Sequence, residues 1–61
     1  MRERNYQQVL EQLPEGSRIL RAYRAIEGDI RVIVRLPGGP AEMRYTVRFD
    51  DPDYARIELM P

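Results

Sequence analysis

The sequence predicts an α+β domain spanning residues 1–61, in which one N-terminal helix packs on an antiparallel meander of four strands. Three observations carry that expectation. Tyr6, Val9, Leu10 and Leu13 repeat at the i, i+3, i+4, i+7 spacing of one helical face. From Ile30 onward, apolar residues alternate with charged ones at the period of a strand. The gaps between the alternating segments are short and rich in proline, glycine and aspartate, so neighbouring strands are antiparallel.

The helix is expected from about Glu3 to Leu13, with Gln7, Gln8, Glu11 and Gln12 on its polar side. Leu13-Pro14 closes it, because the residue before a proline is driven out of the α region. Pro14-Glu15-Gly16-Ser17 is a turn by composition.

Ser17 to Ile26 admits two readings. As a helix, it would place Ile19, Leu20, Ala22, Tyr23 and Ile26 on one side, with Ser17 as N-cap and Gly28 beyond the C-terminus. The chain would then hold two helices and a three-stranded antiparallel sheet. As a strand, it would form a hairpin with the next segment through a two-residue turn near Gly28. Ile19, Tyr23 and Ala25 would then share the inner face with one misfit, Arg21. The strand gives the wider sheet and is the reading adopted.

The remaining strands follow from alternation. Ile30, Val32, Val34 and Leu36 form the second apolar row. Met43, Tyr45, Val47 and Phe49 form the third, after the loop Pro37-Gly38-Gly39-Pro40. Ala55, Ile57 and Leu59 form the fourth, after the turn Asp50-Asp51-Pro52-Asp53.

Composition narrows the function. A chain of 61 residues buries a small core, and such domains usually lean on disulfides, a metal or a partner. There is no cysteine and no histidine, so disulfides, thiolate sites and the commonest metal ligand are absent. There is also no lysine, which removes another common base and nucleophile. An enzyme is not expected, nor is a cofactor or a small-molecule substrate. Asp50, Asp51 and Asp53 lack the spacing of a calcium loop and read as turn residues. Gly38-Gly39 lacks the lysine and following helix of a phosphate-binding loop.

Ten acidic residues balance ten basic ones, all of them arginine. A neutral chain is a poor general polyanion binder. No apolar run is long enough to cross a bilayer, and the charged N-terminus MRERNYQQ is unlike a secretory signal, so a cytoplasmic location is expected.

What remains is binding. In the strand reading, Leu20, Ala22, Ile26 and Ile33 would form an apolar patch on the outer sheet face, rimmed by arginine. Such patches mark interaction surfaces. A small module that self-associates as a homodimer, or binds another protein as a regulatory or inhibitory factor, is the expected function. The second reading is a nucleic-acid-binding module using Arg24, Arg31, Arg35, Arg44, Arg48 and Arg56 on that face. It lacks a stacking platform, because Tyr45 and Phe49 belong to the inner row.

Overall fold

The computed structural model describes residues 1–61 and has one helix over one sheet. Helix α1 spans Glu3–Glu11, and strands β1 Arg18–Arg24, β2 Ile30–Arg35, β3 Met43–Asp51 and β4 Tyr54–Leu59 follow. All neighbours are antiparallel, in the order β1-β2-β3-β4. This is the expected helix-on-meander fold, and the two-helix alternative is excluded because residues 18–24 are a strand.

The helix ends slightly earlier than its apolar spacing suggests. Gln12 and Leu13 donate their backbone N–H groups to Val9 and Leu10 at 3.1 Å, an i to i−3 pattern that tightens the last turn. Ser17 then donates to the carbonyl of Pro14, and Gly16 takes a φ of +92° that favours glycine. At the other end of the sheet, β3 runs through Asp51, into the first half of the expected turn Asp50–Asp53, and Asp51 pairs with Tyr54.

Eight residues are buried, and six of them form the apolar core: Val9, Leu13, Val32, Val34, Val47 and Ala55. Val9 comes from the helix, Leu13 from the chain just beyond it, and the rest from β2, β3 and β4. The core is therefore one contact layer between the helix and the inner sheet face.

The helix lies toward β4, and the reason is chemical. The side-chain amide of Gln12 donates to the carbonyl of Ala55 at 2.7 Å and accepts the N–H of Ile57 at 3.0 Å. Gln8 accepts the N–H of Ala55 at 2.9 Å and donates to the carbonyl of Asp53 at 2.9 Å. Two glutamines one helical turn apart thus supply the hydrogen bonds a fifth strand would make. The β4 edge is closed as far as Ile57 by side chains of the same chain, which guards that part against edge-to-edge pairing.

The first strand corrects the expected side-chain parity. Its turn is not a two-residue one. Ala25 donates to Asp29 at 2.8 Å and Gly28 donates to Ala25 at 2.9 Å, so Ile26, Glu27 and Gly28 form the loop. Gly28 takes a φ of +94°, the left-handed position such loops require. The extra residue moves the even positions Ala22 and Arg24 opposite Val32 and Ile30, on the helix side. The register then shifts between Ile19 and Arg21, so that Ile19 meets Val34 and also faces the helix. Leu20 is the extra residue of this bulge. Between the two irregularities the side chains are inverted relative to simple alternation. Arg21 is consequently no misfit: it stands on the outer face with Tyr23.

Candidate protein-interaction face

The register builds the outer face row by row. Arg18 stands beside Arg35. The next row reads Arg21, Ile33, Arg44, and Met60 joins it by donating its N–H to the carbonyl of Arg44 at 3.0 Å. Then come Tyr23, Arg31, Thr46 and Glu58. Arg48 and Arg56 pair beyond them. Seven of the ten arginines thus share one side of one sheet: Arg18, Arg21, Arg31, Arg35, Arg44, Arg48 and Arg56.

These seven fall into two electrostatic groups. Arg31 bonds Asp29 at 2.9 Å and approaches Glu27 at 3.4 Å. Arg56 bonds Asp50 at 2.7 Å and Glu58 at 3.0 Å, and Arg48 lies 3.7 Å from Glu58. The hydrogen bond from Arg31 holds the Asp29 carboxyl below its ordinary range, against a smaller opposing effect of desolvation. The same bond raises the Arg31 guanidinium, while Asp50 and then Glu58 raise Arg56. Thr46 is buried among this network on the outer face.

Arg18, Arg21, Arg35 and Arg44 have no carboxylate within ion-pair distance. All four are exposed. Arg35 reaches only the carbonyl of Ala41, at 3.3 Å, and Arg21 lies over the Tyr23 ring. Ile33 sits in their midst, half-buried. One half of the face is neutralised, and the other offers four free guanidinium groups around an aliphatic centre.

The expected apolar patch does not assemble. Ala22 packs against the core on the helix side, because the three-residue loop reverses its direction. Ile26 is fully exposed at the hairpin tip and Leu20 stands 42% exposed at the bulge. Ile33 alone occupies the outer face as expected, between Arg21 and Arg44. Of the six arginines assigned to a nucleic-acid face, Arg31, Arg35, Arg44, Arg48 and Arg56 are there. Arg24 is not: it lies opposite Ile30, and its guanidinium donates to the carbonyl of Gly28 at 2.6 Å. Sequence reasoning also misplaced Arg21 and Tyr23, which stand on the outer face and were expected on the inner one. The available signal was Arg21 itself, a charge in a row that simple alternation points at the core.

The aspartates at the β3–β4 turn have structural partners. Asp50 pairs with Arg56, Asp51 accepts the N–H of Asp53, and Asp53 pairs with Arg4. No helix is long and apolar enough to cross a membrane.

Fold and face together define a class: a helix-backed antiparallel sheet with an electrostatically divided, arginine-rich outer surface. No family model, curated protein or solved structure matches the chain.

Proposed function

We propose that this protein is a non-enzymatic interaction module that binds an acidic protein partner through Arg18, Arg21, Arg35 and Arg44. The observation that carries this reading is the division of the outer face. The same sheet neutralises Arg31, Arg48 and Arg56 with local carboxylates, yet leaves four neighbouring arginines free around Ile33. An aliphatic centre ringed by arginine matches the composition of protein interfaces, where arginine is enriched and lysine depleted.

Charge also selects among partners. A two-fold contact between copies of this face would bring arginine against arginine, and like charges in a dry contact are costly. A distinct acidic partner fits better than a second copy. Nucleic acid is the second reading, favoured by Tyr23, which stands on the outer face. Its ring is covered by Arg21 and has no aromatic neighbour there, so it offers a poor stacking surface.

The test is a titration of the protein with a glutamate-rich peptide and, separately, with a mixed-sequence single-stranded oligonucleotide. The peptide should bind, and replacing Arg18, Arg21, Arg35 and Arg44 by glutamine should weaken it at least tenfold. Micromolar oligonucleotide binding near physiological salt, falling with salt by roughly one power per phosphate contact, would transfer the face to nucleic acid.

A further inference from the structure

The two edges of the sheet are treated differently. Gln8 and Gln12 occupy the edge-facing backbone groups from the Asp53 carbonyl to the Ile57 N–H, at the start of β4. Nothing does the same for β1. The pairing of Ala25 with Asp29 sets the alternation of the hairpin ladder. It turns the N–H and C=O groups of Ala22 and Arg24 away from β2, toward the open edge. No backbone bond outside the β1–β2 ladder involves residues 18–24, so those groups are unpaired within the chain.

Beside this edge lies the one cleft of the molecule, about 240 Å³, lined by Met1, Tyr6, Ala22, Tyr23, Arg24 and Ile30. Its origin is the tilt of the fold toward β4. The glutamines hold the helix over that edge, so near Ala22 and Arg24 the helix side of β1 is flanked by Met1 and the helix residue Tyr6 and leaves a cleft. Five of its six lining residues are hydrophobic, and it opens beside the unpaired backbone. On the other face of the same strand stand Arg18 and Arg21.

We infer that β1 accepts an extended acidic segment of another protein as a fifth strand, with apolar side chains in the Met1–Tyr6–Ile30 cleft and carboxylates on Arg18 and Arg21. This rests on the proposed acidic-partner reading and names how the partner is held. Strand addition takes affinity from main-chain hydrogen bonds and specificity from alternate side chains. The alternation of the incoming strand is therefore dictated: apolar toward the helix, acidic toward the arginines. Charge weighs against a second β1 as the occupant. In an antiparallel pair centred on Arg21, Arg18 would oppose Arg24 and Arg21 would oppose its own copy.

The probe is a labelled seven-residue peptide alternating glutamate with leucine, titrated into the full chain. Two control peptides accompany it, one with lysine in place of glutamate and one with alternate backbone nitrogens methylated. The glutamate peptide should bind, protect the Ala22 and Arg24 amides from exchange, and weaken at least tenfold on N-methylation in one of the two alternate registers. The lysine peptide should not bind. Ala22→Pro removes an edge donor without touching the β2 ladder, a position where proline is tolerated, and should cost the peptide a similar factor. Should that variant unfold, the methylated peptides still decide the matter.

Binding that is lost in Arg35→Gln/Arg44→Gln but indifferent to N-methylation would overturn strand addition while leaving the acidic-partner reading intact. Failure of every acidic peptide would overturn both. A concentration-dependent dimer protecting the same β1 amides would assign the edge to a second copy and overturn the inference.

Discussion

The guanidinium of Arg21 lies 5.3 Å from the centroid of the Tyr23 ring, on the sheet face away from the helix. Both residues are there because the three-residue loop and the Leu20 bulge invert the strand between them. Tyr23 is thus a surface residue roofed by a cation, not a core residue. Tyr23→Leu should cost about 0.5–1 kcal/mol, the scale of an exposed cation–π contact. Val32→Ala, by contrast, empties part of the core and should cost about 2 kcal/mol or more. Urea titrations of both variants check this. A Tyr23→Leu cost as large as that of Val32→Ala would place Tyr23 in the core and contradict the register.

Most of the fold was legible because burial has a period. The spacing of Tyr6, Val9, Leu10 and Leu13 marks the helix, and alternation marks β2, β3 and β4. The face of β1 was not legible, since it depends on two single-residue shifts that leave no periodic trace. A one-residue change in loop length sends every side chain to the opposite face. Gly28 marks the turn but does not say whether it is the second or third loop residue. Leu20 carries no sign of being a bulge. The candidate site inherited this error, because Ala22, Arg21 and Tyr23 all lie in the inverted stretch. The arginines of β2, β3 and β4 carried no such ambiguity and stand where alternation puts them.

Gln12 ties the helix to the β4 edge through both ends of its amide. Gln12→Leu should leave the Ile57 N–H and the Ala55 carbonyl without that partner, at a cost of about 1–3 kcal/mol. Amide exchange at Ile57 should accelerate before global unfolding. Unchanged exchange there would show that the glutamine contact contributes nothing to closing the edge.

Gly28 has open space where a Cβ would stand, with nothing within 4 Å, yet its φ is +94°. The cost of Gly28→Ala is therefore conformational, about 1 kcal/mol, and Gly28→Asn should recover part of it. A thermal unfolding comparison of the two variants checks the order. Equal stability of Gly28→Ala and the parent would mean the loop is not held in the left-handed conformation.

Asp29 adds a pH dependence whose sign is set by its lowered folded-state value. A depressed carboxyl contributes stability that is full well above the unfolded value, near the ordinary 3.8, and is lost as pH falls through the folded value. Urea midpoints measured from pH 6 downward should decline in that window, and Asp29→Asn should flatten the decline. Above pH 6 the difference between the two proteins should be constant. A variant that instead steepens the acid loss would reverse the assigned role of the Arg31 bond.

Ile33 is the residue at which stability and binding separate. It stands between Arg21 and Arg44 on the outer face, half-buried and away from the Val9–Val32–Val34 core. Ile33→Asp puts a carboxylate between two guanidinium groups that lack one. Lost β propensity costs up to about 1 kcal/mol, and the new surface ion pairs return a few tenths to about 1 kcal/mol. The variant should fold with nearly parental stability. Its binding of an acidic peptide should nonetheless fall at least tenfold, because the substitution neutralises the arginines the partner needs and repels its carboxylates. The same change at Ile57, half-buried against the core on the helix side, should destabilise the protein far more, since a carboxylate there loses the apolar contact and part of its hydration. Circular dichroism and peptide titration on the two variants give the comparison. An Ile33→Asp protein that folds and binds the acidic peptide as the parent does would remove the arginine cluster from the interface.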